Sequence, residues 1–333
     1  MQKARTLYFT APKKVEIREA VLPILKDDEV LVETICSAIS AGTEMLVYRG
    51  EFPHIVDLHD GLSSDLNYPL AYGYACAGKV VEAGKDVNRD WLNKVVFAFQ
   101  PHTSHFITKT ESLIQTPNSL SPETTCFLPN METAVNLVQD GAPILGERLL
   151  VLGQGMVGLL TASLLSEFPL ESLVTVDNYE IRRNALQVTS YKLKVKSLTS
   201  NDFRLSTFDT FDLTFELSGS PSALNDAIAH TTFSGRIVIG SWYGKKRAEV
   251  DLGGAFHRSR IKLISSQVST ISPELSGRWD KSRRFDVAWK ALERIKPEKW
   301  ITHRFSVDDA EKAYQLLDKN PQETIQVIFN YPA

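Results

Sequence analysis

One short stretch limits the fold more than any other. The run Arg148 to Leu152, apolar after its first residue, leads directly into Gly153-Gln-Gly155-Met-Val-Gly158. An unbroken apolar strand of this length is the kind buried on both faces in a parallel sheet. Each glycine has its own physical reason: Gly153 for a tight turn, Gly155 so that backbone can come close to a pyrophosphate, Gly158 so that helix and sheet pack closely. The spacing predicts a helix from about Met156 to Glu167, whose N-terminus would offer unpaired N–H groups and a positive dipole end to phosphates. On its own the pattern is also compatible with a tight turn in an ordinary sheet protein.

Beyond this motif the chain alternates between strands and helices. We expect strands at Ser172–Val176, Leu213–Leu217 and Arg236–Gly240, with helices beginning near Tyr179 and from Pro221. In the second of these helices Leu224, Ala227 and Ile228 fall at i, i+3 and i+4 and make one apolar face. This half is α/β and doubly wound. Asp177 then sharpens the reading, because it ends the second strand nineteen residues after Gly158, where an acid accepts hydrogen bonds from both ribose hydroxyls of an adenosine. Dinucleotide binding is the consequence, with NAD preferred over NADP since an acid there repels a 2′-phosphate. Arg182 and Arg183 leave NADP open: they suit a 2′-phosphate, a solvated face or the ribose.

The remainder differs in character. Short strands are expected at Arg5–Phe9, Lys14–Glu19, Glu29–Ile39, Gly78–Ala83 and Lys94–Ala98, which suggests a compact β unit. Between Gly50 and Tyr68 the chain is polar and punctuated by Gly and Pro, and reads as a long loop. After about Ser266 helices dominate; one is expected to open at Ser306, with Asp309 in the capping-box position and an apolar stripe of Ala310, Ala313, Tyr314 and Leu317. A strand-like Thr324–Phe329 closes the chain. A length of 333 residues exceeds what one core usually organises, so two domains are expected. With 37 Lys+Arg against 40 Asp+Glu, the electrostatic case for a nucleic-acid or anionic-membrane partner is missing. Cys36, Cys76 and Cys126 form no disulfide framework and no zinc-knuckle spacing. The N-terminus lacks a secretory pattern and no segment has the apolar length of a membrane span, so we expect a soluble, cytoplasmic protein.

Further stretches carry a family resemblance: Ser40-Ala-Gly-Thr-Glu44 with Arg49-Gly50, Tyr72-Gly-Tyr-Ala75 with Gly78-Lys-Val-Val-Glu-Ala-Gly84, Thr133-Ala134, the glycine motif, Phe215-Glu-Leu-Ser-Gly219 and Ile301-Thr-His-Arg-Phe305. In combination they resemble the medium-chain dehydrogenase/reductase family, over nearly the whole chain. The resemblance implies a GroES-like, β-rich catalytic domain from residues 1–128 and 268–333, a Rossmann domain from 129–267 inserted between them, a substrate cleft where the two meet, and a homodimer. It also implies cofactor contacts from Thr133, Gly153, Gly155, Met156, Val157, Gly158, Asp177, Arg182, Ser218, Gly219, Ile239 and Gly240; ordinary strand-end turn chemistry is the plainer alternative for several of them.

Where zinc-dependent members place metal ligands, this chain has none. The first ligand position, nine residues before Gly50, is Ala41, and Cys36 lies fourteen residues before that glycine, in the preceding strand. The second-ligand element is replaced by Gly73-Tyr74-Ala75, and the third-ligand region holds Pro129 and Asn130, which supply neither thiolate nor imidazole. No cysteine lies between Cys76 and Cys126 to build the structural zinc lobe. The expectation is therefore an oxidoreductase without zinc, in which hydroxyl donors stabilise the reacting oxygen. Thr43 stands where the family has its relay hydroxyl, Tyr74 where it has a histidine ligand, and Leu46 where it has a second relay histidine. Tyr74 is a candidate proton donor or a filler of the vacated volume; His102 and His105 are candidate acids or bases or structural hydrogen-bonders at the domain junction.

Other polar residues stay ambiguous. His54, Asp57, His59 and Asp60 imitate a metal site but read better as a solvated or substrate-covering loop. Glu132 is either an interior acid or the partner of a nearby base. Trp279 with Arg278, Arg283 and Arg284 would suit a large or acidic substrate, or a partner, or a purely structural role. The Ser37-Ala-Ile-Ser-Ala-Gly-Thr-Glu44, Tyr72-Gly-Tyr-Ala75 and Pro101-His-Thr-Ser-His105 elements most resemble the zinc-lacking group that includes hydroxyethyl bacteriochlorophyllide dehydrogenase, so a small or pigment-like substrate is expected. The leading reading is hydride exchange between NAD and a secondary alcohol or ketone. Its rivals are an NADPH-dependent quinone or enoyl reductase and a non-catalytic dinucleotide-binding sensor or scaffold.

Overall fold

The computed structural model describes residues 2–53, 66–186, 194–205 and 210–331. They form two compact units, Met1–Pro129 with Leu292–Ala333, and Asn130–Ala291.

The first unit begins with β1 (Lys3–Ala11), β2 (Lys14–Val21), β3 (Glu29–Ala38) and the helix α1 (Ala41–Arg49). It continues through β4 (Leu70–Ala71), β5 (Cys76–Ala83), β6 (Val95–Ala98), β7 (His105–Lys109), β8 (Ile114–Gln115) and the short helix α2 (Pro122–Thr125). The helix α3 (Leu128–Gly141) then leads into the second unit. That unit carries β9 (Arg148–Leu152), α4 (Met156–Leu165), β10 (Ser172–Val176), α5 (Glu180–Arg183), β11 (Lys194–Leu198) and α6 (Ser200–Leu205). It ends with β12 (Phe211–Glu216), α7 (Ala223–His230), β13 (Thr231–Ile239), β14 (Lys262–Ser265) and α8 (Lys281–Ile295). The chain returns to the first unit with β15 (Ile301–Ser306), α9 (Ala310–Lys319) and β16 (Gln326–Asn330).

In the second unit, the described strands order as β11-β10-β9-β12-β13-β14 and all pair in parallel. In sequence order that is 3-2-1-4-5-6, the doubly wound arrangement, whose switch point lies between β9 and β12. The unbroken apolar run of β9 now has its reason. Leu150 and Leu152 enter a core with Leu224, Ala227 and Ile228 of α7, whereas Leu149 and Val151 enter another with Ala162 and Leu165 of α4. Both faces of the sheet are covered, so the four buried positions Leu149–Leu152 are all apolar.

The first unit contains a sheet of order β2-β1-β4 and a seven-stranded sheet, β15-β16-β3-β5-β6-β8 with β7 on β3. Here the two ends of the chain meet, because β16 pairs antiparallel with β3 through Ile328–Ala38, Phe329–Ser37 and Asn330–Cys36. One core gathers Val30, Val32, Val80, Val96 and Phe106; another gathers Leu7, Phe9, Val47, Tyr48, Tyr314, Leu317 and Phe329, and carries α1 and α9.

Several boundaries differ from the sequence expectation. The helix at Tyr179 is only the turn Glu180–Arg183, and the one from Met156 ends at Leu165. Ser306 caps a single 3-10 turn, Val307–Asp309, and the helix with the expected stripe starts at Ala310. The second unit runs to Ala291 rather than 267, because Lys281 and Arg284 on α8 are hydrogen-bonded to Glu132 on α3. No helix among the described residues is long and apolar enough to cross a membrane.

Candidate functional site

The glycine turn is built as its spacing predicts. Gly153 sits at φ +97°, and a Cβ there would lie 2.5 Å from the Leu217 carbonyl oxygen. A Cβ on Gly158 would come within 2.0 Å of the Gly153 carbonyl oxygen, so the first turn of α4 can rest on the strand end only if that residue is glycine. Gly155 is different: a Cβ there would meet nothing within 4 Å, leaving its backbone open to approach. Gly155 is also the N-cap of α4 and provides no capping side chain. The early N–H groups of that helix, including those of Met156, Val157 and Gly158, lack intrahelical acceptors and sit at the positive dipole end. A helix start of this kind has the chemistry to receive an anion.

Asp177 borders it. Its carboxylate accepts from the Gln154 N–H at 2.8 Å and from the Tyr179 N–H at 2.8 Å. Each oxygen thus already has one donor, and a carboxylate oxygen can accept a second; Asp177 is 8% exposed. Arg182 stands with Nη1 4.0 Å from Asp177 Oδ2 and stacks 4.7 Å from the Tyr179 ring centre. Arg183 is engaged by backbone, donating to the Asp177 and Asn178 carbonyl oxygens at 3.0 and 2.8 Å.

At the carboxyl ends of β12 and β13, sequence reasoning missed the organising residue. Glu216 is fully buried; it accepts the Ser218 N–H at 2.9 Å, the Ser218 hydroxyl, and the Tyr243 hydroxyl at 2.5 Å. Burial and the Glu216 charge push the Tyr243 phenol far above its usual range. The Gly219 N–H donates to Ser241 Oγ at 2.9 Å and the Gly240 N–H to the Glu216 carbonyl at 3.1 Å, so the expected residues Ser218, Gly219, Ile239 and Gly240 form one hydrogen-bonded strand-end turn. An acid at the end of the apolar strand Phe211–Glu216 was the available signal, since a buried carboxylate requires donors. Thr133 lies on α3, next to Glu132.

Glu132 proves to be the partner of bases. Its Oε1 takes Lys281 Nζ at 2.5 Å and Arg284 Nε and Nη2 at 3.0 and 2.8 Å, and Arg284 has no exposed surface. Arg284 therefore offers no fork to a substrate. Arg283 lies 4.2 Å over the Trp279 ring centre.

In the first unit Thr43 and Tyr74 come together, with Ser40 as the third hydroxyl. Ser40 is the N-cap of α1; the Tyr74 phenol donates to Ser40 Oγ and is also hydrogen-bonded by Thr43. Burial raises the phenol from 10 to about 12, against the opposing effect of those two hydroxyls. His102, the third expected catalytic residue, lies behind them with no exposed surface. Nε2 is 2.9 Å from Glu44 Oε2 and Nδ1 2.7 Å from Ser37 Oγ, so neither nitrogen is available to a substrate. His105 bonds Ser104 Oγ at 3.1 Å, and burial lowers its pKa. His54, Asp57, His59 and Asp60 lie outside the described residues. Ala41 is exposed and Leu46 buried, and among the described residues no three of His, Cys, Asp and Glu gather as a metal-holding group.

No protein-family model matches the sequence. Sorbitol dehydrogenase 2 of Saccharomyces cerevisiae is 21% identical over 363 aligned residues, spanning 96% of this chain and 95% of that one. An Escherichia coli CFT073 alcohol dehydrogenase complexed with NADH superposes with a TM-score of 0.75 at 17% identity, covering 98% of this chain and 99% of the other. A zinc-binding dehydrogenase of Sinorhizobium meliloti 1021 bound to NADP gives 0.75 at 16% identity, covering 99% and 100%. Across nearly its whole length, then, the chain is similar to medium-chain zinc-type alcohol dehydrogenases and carries their fold.

Proposed function

We propose that the protein is an NAD-linked oxidoreductase that exchanges hydride with a secondary alcohol or its ketone and works without zinc. The observation that carries the reading is the open backbone at Gly155, where a Cβ would meet nothing within 4 Å, at the head of α4 and beside Asp177. A dinucleotide fits these residues: the α4 N-terminus would take the pyrophosphate, Asp177 would accept from ribose hydroxyls, and the Ser218–Gly219 and Ile239–Gly240 strand ends and Thr133 would hold the rest. Asp177 favours NAD, whose ribose hydroxyls it can accept, over a 2′-phosphate that it repels. When bound, the cofactor supplies the hydride acceptor for alcohol oxidation or, reduced, the donor for ketone reduction.

The chain's own residues then handle the proton. A phenol with a pKa of about 12 keeps its proton through the physiological range, and Tyr74, which gives that proton to Ser40 Oγ here, would turn it to an oxygen that gains charge as a ketone is reduced. Ser40 and Thr43 hold that phenol and share the charge it leaves. Zinc does not fit: the three family ligand positions hold Ala41, Tyr74 and the Pro129-Asn130 pair, and a methyl group, a neutral phenol and an amide give the ion no adequate donor set. A resemblance to the zinc-lacking subgroup supports the same reading and adds a pigment-like alcohol to the polyols as a substrate class. A homodimer in the cytoplasm is the accompanying expectation.

The test combines cofactor titration, elemental analysis and turnover on polyols, secondary alcohols, ketones and quinones. Tighter NADH than NADPH binding, no stoichiometric zinc and turnover of an alcohol–ketone pair are expected. Tighter NADPH binding with quinone turnover would favour the reductase reading, cofactor binding without any turnover a sensor, and stoichiometric zinc would remove the metal-free mechanism.

A further inference from the structure

We infer that His102 is a positioning residue that sets the geometry of the Ser40, Thr43 and Tyr74 hydroxyls, and is not an acid or base in turnover. The kinetic part of this inference rests on the proposed oxidoreductase function; its structural part does not.

The three hydroxyls come from two separate stretches of chain. Ser40 and Thr43 belong to the start of α1, and Tyr74 to the link between β4 and β5. The His102 ring touches both stretches. Toward α1, Nε2 meets Glu44 Oε2 at 2.9 Å, while the other oxygen of Glu44 accepts the Ser40 N–H at 2.7 Å. Tyr314 donates to Glu44 Oε2 at 2.6 Å and completes the set around a carboxylate with no exposed surface. Glu44 thereby ties the backbone of Ser40 to the imidazole. Toward Tyr74, the ring lies against Gly73, where a Cβ would come within 2.8 Å of His102 Cδ2. Gly73 adopts φ +122°, and the backbone N–H of His102 reaches the Tyr72 carbonyl at 3.4 Å. The residue before Tyr74 is thus packed against the same ring and tied to the same residue's backbone.

A carboxylate only accepts, so Nε2 carries the proton toward Glu44. On the other side of the ring Nδ1 and Ser37 Oγ share a hydrogen bond of 2.7 Å, and Ser37 Oγ and the Tyr331 hydroxyl one of 2.8 Å. Every polar atom of the ring is satisfied, and proton transfer to a substrate would break a buried bond. The ring works as a wedge between the Ser40 and Tyr74 stretches. Displacing it separates the Tyr74 phenol from Ser40 Oγ, and a misplacement of about 1 Å can cost on the order of 100-fold in rate.

The experiment compares His102→Ala with His102→Gln, which keeps an N–H donor toward Glu44. His102→Ala should lower kcat by about 100-fold, leaving NADH affinity and both limbs of the pH–rate profile intact, and His102→Gln should restore most of the loss. An unchanged kcat in the alanine variant, disappearance of one limb of the profile, or a folded glutamine variant as inactive as alanine would each overturn the inference. If the wild-type protein turns over no substrate, the functional reading fails, and 15N NMR of histidine-labelled wild type still decides the geometry without any variant. An Nε2–H tautomer for His102 supports it, and an Nδ1–H tautomer overturns it.

Discussion

Replacing Gly155 by alanine separates cofactor binding from folding. The added Cβ would meet no atom within 4 Å, and the native backbone at Gly155, φ −65° and ψ −175°, is open to alanine. Two small effects on stability oppose each other. Alanine lowers the entropy of the unfolded chain, which stabilises by roughly 0.4–1 kcal/mol, but it is a poorer N-cap than glycine by a similar amount. The net change should lie within about 0.5 kcal/mol, and the melting temperature within about 2 °C of wild type. The ligand, in contrast, meets a methyl group where it would approach bare backbone. Losing one or two charge-assisted N–H bonds to phosphate, each worth about 1.5–3 kcal/mol, should weaken NADH by on the order of 100-fold or more. Fluorescence titration with NADH, run beside thermal unfolding of the same samples, reads both quantities. A folded Gly155→Ala protein that binds NADH within about threefold of wild type would refute the proposed cradle, since the methyl would stand where the pyrophosphate is proposed to approach bare backbone.

Buried groups elsewhere give two further outcomes. Arg284→Met leaves Glu132 with Lys281 as its remaining ionic partner, which should cost about 3 kcal/mol and lower the melting temperature by roughly 6–12 °C; a shift below about 1 °C would mean that the pair contributes nothing. Alkaline pH should unfold the protein cooperatively, because burial raises Tyr68 and Tyr74 from 10 to about 12. Below pH 10 these phenols are protonated in folded and unfolded chains alike. Between 10 and 12 only the unfolded chain releases its protons, so stability falls across that window by up to about 2–3 kcal/mol for Tyr74 and by less for the partly buried Tyr68. Tyrosinate absorbance rising together with loss of circular dichroism would confirm the sign, and normal titration near pH 10 in a protein that stays folded would refute it.

The parallel-sheet unit was legible in the sequence because its signals are local. Strand β9, the glycine turn and α4 lie within eighteen consecutive residues, Arg148–Leu165, and Gly153 and Gly158 are each required by an atom of the turn itself or of the adjoining strand ends. The Leu224, Ala227 and Ile228 stripe likewise needed only helical periodicity, and all three are buried against the sheet. Other features were not legible, since their cause lies far along the chain. The extent of the second unit depends on Arg284 reaching Glu132, 152 positions earlier, and the surroundings of Glu44 depend on Tyr314, 270 positions later. Nothing around residue 267 or residue 44 announces either contact.

His102 and Arg284 were ambiguous for the same reason. Each is a side chain with a strong donor, which in a sequence looks the same whether the acceptor is a substrate or another side chain. In the structure each acceptor is a buried carboxylate of the same unit, Glu44 for His102 and Glu132 for Arg284. Glu216, with Ser218 and Tyr243 as its donors, is a third case. A carboxylate taken out of water must find two or more donors or lose its charge, so it fixes their orientation strongly. That makes the buried acid, rather than the basic or aromatic residue beside it, the better guide to how a site is held. Glu44 illustrates this most directly: it lies one residue from Thr43, and three elements far apart in the chain supply its donors. The precision available to Thr43 and Tyr74 is therefore set by a residue that never has to touch a substrate.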